Sequence, residues 1–180
     1  MNLASLLLRL SGWSVDISVP DYKKCIICVA PHTSNWDFIL GKLAYASVGR
    51  KAGFLMKEAW FFWPLGPIFK AIGGIPVPKK RGAKLTDYII SRFKTADHMQ
   101  LAVTPEGTRN KVTQWRTGFL HIAEEAGVPI VLGAIDAARK RVIIVKEFTP
   151  SGDMDADMRS IKDYYRQFEG IKPDKFSAEY

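Results

Sequence analysis

Short apolar runs alternate with segments of helical periodicity from Lys23 onward. The runs predict strands at 25–30, 53–56, 75–77, 100–103, 130–135 and 141–145. Between several of them, apolar side chains recur every three or four positions and predict helices over 36–47, 85–93, 119–126 and 158–168. This alternation predicts an α/β fold in which helices flank a mixed, largely parallel sheet. A length of 180 residues fits a single domain over 1–180.

The composition is that of a folded, basic protein. Hydrophobic residues make up 47% of the chain and charged residues 24%, which excludes a disordered chain. Lysines and arginines number 26 against 18 acidic residues, so the formal net charge is +8. This surplus favours a polyanionic partner, which could be nucleic acid, an anionic membrane surface or a phosphorylated substrate.

The two cysteines, Cys25 and Cys28, have the C-x-x-C spacing of some redox and metal sites. They lie in a predicted buried strand, where side chains three positions apart point to opposite faces. A zinc site would also need further ligands at matching spacing. We therefore interpret both as core residues and expect no metal. Two cysteines cannot make a disulfide scaffold, which favours a reducing compartment.

Two segments are candidates for contact with a membrane. Residues 1–13 place Leu3, Leu6, Leu7 and Leu10 on one face of a possible helix, which could lie in the interface or cover the protein's own core. Residues 59–69 hold five aromatic side chains and two prolines, so they predict a core plug or an exposed patch rather than one regular helix. No stretch reaches the roughly 20 apolar residues that span a bilayer.

A polar cluster, 31–37, directly follows the first predicted strand, where open α/β sheets bind ligands. His32 precedes Asp37 by five positions, so the two cannot share one face of an ideal helix. They can meet if His32 lies in the loop and Asp37 in the first helical turn, with Ser34 or Asn35 as the N-cap. Asp37 could then bind one imidazole nitrogen and leave the other as a general base for an alcohol.

Plainer interpretations of this cluster stay open. Asp37 could simply complement the helix dipole while His32 forms a local hydrogen bond. Ser34 could be a nucleophile, but it lacks the glycine-flanked elbow of hydrolases, and capping explains it more simply. The spacing alone does not decide between these roles.

A second polar cluster, 104–110, follows another predicted strand. Gly107 permits a positive φ or a close backbone approach, and Arg109 can hold a phosphate through two parallel hydrogen bonds. Lys111 and Arg116 add positive charge nearby. Taken alone, the cluster could also be a polar turn with a surface arginine.

Together the clusters resemble the glycerolipid acyltransferases, the family that includes lysophosphatidic acid acyltransferases. Residues 32–37 match its H-x-x-x-x-D motif and residues 105–109 match its P-E-G-T-R motif. Two weaker blocks, 74–79 and 128–131, fall in the family's order. The resemblance spans roughly 23–136 and implies a glycerol-phosphate acyltransferase-like α/β domain.

The resemblance implies an O-acyltransferase with a role for each matching residue. His32 would be the general base on the acceptor hydroxyl, and Asp37 would orient it. The acceptor, a lysophospholipid such as 1-acyl-glycerol-3-phosphate, would be bound by Glu106, Gly107, Thr108, Arg109 and Lys79. The donor would be a thioester on coenzyme A or acyl carrier protein, and no cofactor would be needed.

The resemblance also implies a peripheral protein on the inner, cytoplasmic face of the cell membrane. The basic run 79–81 could bind anionic head groups there, and the aromatic segment 59–69 could meet the interface or line an acyl tunnel. Pro78 and Lys79 stand where the family's second motif usually has arginine, and Pro31 stands where its first often has asparagine. These departures leave the acceptor open, since an amino-lipid or another lysolipid fits nearly as well.

Two other classes remain as alternatives. A basic nucleic-acid-binding domain fits the charge, but no binding module is recognisable and the aromatics are bunched rather than interleaved with basic residues. We therefore expect no nucleic-acid partner. A relative that binds lipid without catalysis is the second alternative, and the intact His32 and Asp37 disfavour it.

Overall fold

The computed structural model describes residues 2–77 and 85–180. In this part of the chain, seven strands form one sheet: β1 (Ser14–Ile17), β2 (Lys24–Ala30), β3 (Gly53–Lys57), β4 (Gly74–Val77), β5 (Met99–Val103), β6 (Ile130–Asp136) and β7 (Arg141–Phe148). Their order across the sheet is β1-β7-β6-β2-β5-β3-β4. Neighbouring strands are parallel except for β6 and β7. The predicted α/β fold with a mixed, largely parallel sheet is confirmed.

Helices cover both faces of this sheet. Within the described residues they are α1 (Leu3–Leu10), α2 (Asn35–Ser47), α3 (Leu65–Ala71), α4 (Leu85–Thr95), α5 (Gly118–Ala126) and α6 (Met154–Tyr165). Their ends follow from local chemistry: α6 begins where Asp153 accepts hydrogen bonds from two backbone N–H groups, and α5 ends at Gly127 with φ +62°.

The central strand β2 lies between β5 and β6, and its side chains are divided between the two faces. Cys28 packs on one face with Ile26, and Cys25 packs on the other with Ile27. Burial raises the pKa of each thiol to about 12, which suppresses the reactive thiolate. Both cysteines are free, so the interpretation as core residues is confirmed.

The faces differ in what covers them. Helices α4, α5 and α6 pack on one face and form a single large core, with Phe93, Phe119 and Tyr165 among its buried side chains. Helices α1 and α2 cover the other face, above two smaller clusters around Ile27 and Ile135.

Helix α1 packs on α2 through Leu8, and the Asn2 side-chain amide donates to the carbonyls of Ala46 and Ser47. The four leucines predicted to share one face do share it, but that face does not cover the core. It is exposed: the four side chains are Leu3, Leu6, Leu7 and Leu10, the last 75% exposed. Helix α1 therefore contacts the rest of the protein through the side that carries Leu8, not through the face of the four leucines.

The aromatic segment 59–69 begins inside a 3₁₀ turn, Glu58–Trp60, and its last residues form the first part of α3. Trp60 and Phe62 are exposed, and Trp63 is 85% exposed. The segment is thus an exposed apolar patch rather than a core plug. Within residues 2–77 and 85–180, no helix has the length and apolar character that crossing a membrane requires.

Candidate active site

The two polar clusters meet at the carboxyl edge of the sheet. Strands β2 and β5 are parallel neighbours, paired as far as Cys28 opposite Val103, so the loops after them emerge side by side. A hydrogen bond of 2.6 Å joins the loops, from the backbone N–H of His32 to Oε1 of Glu106. The fold therefore brings together two motifs that are about 70 positions apart in the chain.

His32 lies in the loop before α2 and Asp37 in the first turn of that helix, as the spacing predicts. Ser34 is the N-cap, and its side chain forms a capping box with Asp37. Nδ1 of His32 is 3.5 Å from Oδ2 of Asp37. This exceeds the roughly 2.7–3.2 Å of a hydrogen bond, and catalytic pairs of this kind commonly tighten when substrate binds.

The Asp37 carboxylate is buried and held by the loop that carries His32. Its Oδ2 accepts the backbone N–H groups of Thr33 and Ser34 at 2.6 and 2.7 Å. Its Oδ1 has no hydrogen-bond partner among the residues the structure describes. Such a carboxylate can accept a hydrogen bond from the Nδ1–H group of the neighbouring imidazole and stabilise an imidazolium.

Glu106 is a second buried carboxyl group, only 4% exposed. Burial raises its pKa to about 8, the hydrogen bond from the His32 N–H opposes that rise, and the charge of Asp37 adds to it. The side chain contacts the His32 loop from inside the protein. Binding of the acceptor by Glu106, which the family resemblance implies, stays a prediction.

Gly107 has the positive φ that the sequence allows, +67°. A Cβ at this position would overlap the side chain of Arg116. The backbone N–H of Arg116 also donates to the Pro105 carbonyl at 2.7 Å. Arg116, which the sequence shows only as nearby charge, therefore packs against the P-E-G-T-R turn.

The remaining predicted binding residues are in different situations. Thr108 is half-buried, and its hydroxyl accepts the N–H of Asn110 at 3.2 Å. Arg109 and Arg116 are exposed, and neither forms an ion pair with a carboxylate of residues 2–77 or 85–180. Both guanidinium groups are thus free to bind an anion. Lys79 lies outside the described residues.

An apolar cavity of about 510 Å³ borders the site. It lies between α2 and the sheet, and its lining includes Ile27, Val29, Ile135 and Ile144. His32, Asp37 and Gly107 line the same space, so the imidazole and the P-E-G-T-R turn share one cavity. Its volume falls within the roughly 300–1,000 Å³ of small-molecule sites.

The assembled groups suit proton removal from a hydroxyl of an amphiphile. The imidazole can act as base, the buried carboxylate can orient it, the cavity can take an apolar chain, and the arginines can bind an anion. The sequence pattern does not indicate that Lys172 contacts the His32 loop. Thr33 in that loop is 1% exposed, and its Oγ1 accepts the backbone N–H of Lys172 at 3.1 Å. No local signal connects residues 139 positions apart.

Comparison with known proteins defines the class. A sequence model of the family described as Acyltransferase matches residues 16–135, about two thirds of the chain. The protein belongs to this acyltransferase family. A search among curated proteins gave no match.

The fold is similar to a solved enzyme of the same class. The crystal structure of the 1-acyl-sn-glycerophosphate (LPA) acyltransferase PlsC from Thermotoga maritima superposes with a TM-score of 0.59. The alignment covers 93% of this chain and 78% of that one, at 19% identity. At this identity the likeness concerns the fold.

Proposed function

We propose that the protein transfers a fatty acyl chain to a hydroxyl group of a lysophospholipid, with His32 as general base and Asp37 orienting the imidazole. The observation that carries the proposal is the position of His32. Its Nδ1 faces a buried carboxylate, and the ring borders an apolar cavity. The acyltransferase family supplies the reaction class.

In the proposed reaction, Nε2 of His32 takes the proton of the acceptor hydroxyl as its oxygen attacks the carbonyl carbon of an acyl thioester. The C–O bond forms, the C–S bond breaks, and the leaving thiolate receives the proton back from the imidazolium. Asp37 stabilises that imidazolium through Nδ1. The transfer is direct, with no acyl-enzyme intermediate, metal or organic cofactor.

The donor in this proposal is a thioester of coenzyme A or acyl carrier protein. Its acyl chain would occupy the cavity between α2 and the sheet, whose lining is largely aliphatic. Phe38 and Phe54, which pack edge to face with ring centroids 4.7 Å apart, stand on the wall of this cavity. A chain bound there would place its thioester beside His32.

The acceptor in this proposal is 1-acyl-glycerol-3-phosphate or a similar lysolipid. Arg109 would bind its phosphate, with Thr108 and Gly107 nearby, because an arginine without a carboxylate partner suits an anion. The family resemblance implies that Lys79 also contributes to binding. An amino-lipid or another lysolipid is the alternative acceptor. A series of acceptors that differ only in the head group distinguishes these cases.

We also propose that the protein works on the inner face of the cell membrane. The exposed leucines of α1 and the exposed aromatics Trp60, Phe62 and Trp63 support this, since an interfacial surface combines apolar and aromatic side chains. The net charge of +8 favours an anionic bilayer. Replacing Leu3, Leu7 and Leu10 by serine should lower binding to anionic vesicles, and unchanged binding would contradict this assignment.

The decisive experiment measures thiol release and labelled acyl transfer from an acyl thioester to lysophosphatidate. We expect His32→Ala to lower kcat by at least about 1,000-fold, because it removes the base. His98→Ala is the matched control: His98 is exposed and does not border the His32 cavity. Transfer by His32→Ala at the wild-type rate would overturn the proposal.

A further inference from the structure

The chain segment that follows α6 returns to the catalytic edge of the sheet and lies against the His32 loop. The backbone N–H of Lys172 donates to Thr33 Oγ1 at 3.1 Å. Gly170 approaches the same residue so closely that a Cβ would lie 2.8 Å from both Thr33 Cγ2 and Thr33 Oγ1. The same Cβ would lie 3.0 Å from Pro31 Cβ. Only a glycine allows the backbone to come this near.

The segment is itself held in place on both sides. Before Gly170, the carbonyl of Glu169 accepts the N–H of Ala137 at 2.7 Å. After it, Ile171 packs on the cluster that contains Ile135. The segment therefore makes a fixed contact rather than a loose one.

The last residues of the chain are tied to the large core. The Trp115 indole donates to the Ser177 carbonyl at 3.1 Å, and the Lys162 ammonium donates to the Glu179 carbonyl at 2.6 Å. At the end of α6, the Tyr165 hydroxyl donates to the carbonyl of Cys28 in β2 at 2.6 Å. The Tyr165 bond connects the start of the returning segment to β2, and the other two bonds connect its end to α6 and to the loop before α5.

The contact restrains a part of the loop that the two carboxylates do not hold. The loop is held from the inside by Asp37, which accepts the Thr33 and Ser34 N–H groups, and from β5's side by Glu106, which accepts the His32 N–H. Those bonds fix the backbone amides. The returning segment is what fixes the Thr33 side chain, on the residue next to His32.

We propose that residues 169–172 position the His32 loop, with Gly170 as the positioning residue that sets its distance from the core. The inference rests on the proposed role of His32. It adds a part of the chain that lies beyond the family match, which ends at residue 135. Gly170 touches no substrate in this account and acts through Thr33.

The test is an acyl-transfer assay on Gly170→Ala, Thr33→Ala and the double variant. The added Cβ should push the loop aside and lower kcat about 10- to 100-fold, with KM for both substrates within about twofold of wild type. Thr33→Ala removes the two nearest atoms that the Cβ would meet and leaves only Pro31 Cβ at 3.0 Å, so the double variant should regain most of the activity of Thr33→Ala alone. Gly118→Ala is the control, because a Cβ there has its nearest neighbour at 3.5 Å.

The outcomes separate this inference from the proposed function. Wild-type kcat in Gly170→Ala, with His32→Ala inactive, would overturn the positioning role alone. A double variant no better than Gly170→Ala, or a thermal midpoint that falls in proportion to the lost activity, would also overturn it by showing general destabilisation. Transfer that survives His32→Ala would overturn the proposed function and this inference with it.

Discussion

The two faces of the sheet are filled to different extents, although the same strands build both. On the face of α4, α5 and α6, one continuous core contains Ile26, Cys28 and Ala30 of β2, each at 0% exposure. On the face of α1 and α2, two smaller clusters surround a cavity of about 510 Å³. The packed face provides a rigid support for the edge that carries His32, while the other face keeps the space that we propose for the acyl chain.

The largest expected effect is a loss of unfolding free energy when isoleucines of β2 are replaced by alanine. Two adjacent isoleucines point to opposite faces of the sheet and can be compared. Ile26 lies in the large core, and Ile27 lines the cavity. Replacement of Ile26 by alanine should cost about 4 kcal/mol of unfolding free energy, near the upper part of the range for such changes. Ile27→Ala should cost about 2 kcal/mol, because its side chain already borders empty space.

Urea denaturation measures both values, with equal m-values as the check that unfolding stays two-state. Equal losses for the two variants would show that the faces are packed alike, and the comparison would fail.

The next effect is a dependence of the unfolding free energy on pH, caused by Glu106 at the carboxyl edge of the sheet. The pKa of Glu106 is raised to about 8 in the folded protein, from an ordinary value near 4.5. The contribution of the Glu106 proton to the unfolding free energy is then fully present below pH 4.5. It is lost as pH rises toward 8, because the unfolded chain releases this proton first. The loss should be roughly 4 kcal/mol across that window.

Glu106→Gln keeps an oxygen that can accept the His32 N–H but removes the titration. We expect its unfolding free energy to vary less between pH 5 and pH 8 than that of wild type. Parallel pH curves for the two proteins would contradict the buried, protonated state of Glu106.

The smallest effect comes from filling the cavity. A Cβ at Gly133 has only ordinary contacts, the nearest at 3.5 Å, so Gly133→Val should change the unfolding free energy by less than about 1 kcal/mol. Because Gly133 lines the cavity, transfer of a long acyl chain should fall about tenfold. Ala123→Leu adds a similar bulk to the packed face and should cost about 2 kcal/mol of stability.

Transfer by the folded fraction of Ala123→Leu should match wild type, since Ala123 is remote from the cavity lining. A Gly133→Val protein that is destabilised yet fully active would reverse the assignment of the two faces.

Sequence patterns were informative where structure depends on neighbours in the chain. The strand around Cys25 and Cys28, the cap at Ser34 and the separation of His32 from α2 follow from periodicity and capping. Strand β1 was not predicted because four residues, Ser14–Ile17, give too short a pattern. Helix α3 was not predicted because two prolines dominate its sequence.

Features that depend on distant contacts were beyond the sequence. The leucine pattern of α1 shows that one helix face is apolar, but it does not show that α2 packs on a different face, at Leu8. The contact of Gly170 with Thr33 and the packing of Arg116 on Gly107 arise from the path of the whole chain. The cavity is likewise a property of how α2 rests on the sheet, and no single residue indicates it.

The central claim is that His32 and Asp37 work as one unit on the border of the cavity. A double-mutant cycle on kcat/KM for acyl transfer tests it most directly, with His32→Ala, Asp37→Ala and the double variant. If Asp37 acts only through the imidazole, the double variant should be no slower than His32→Ala. Losses that simply multiply would show that the two residues act independently and would contradict the account.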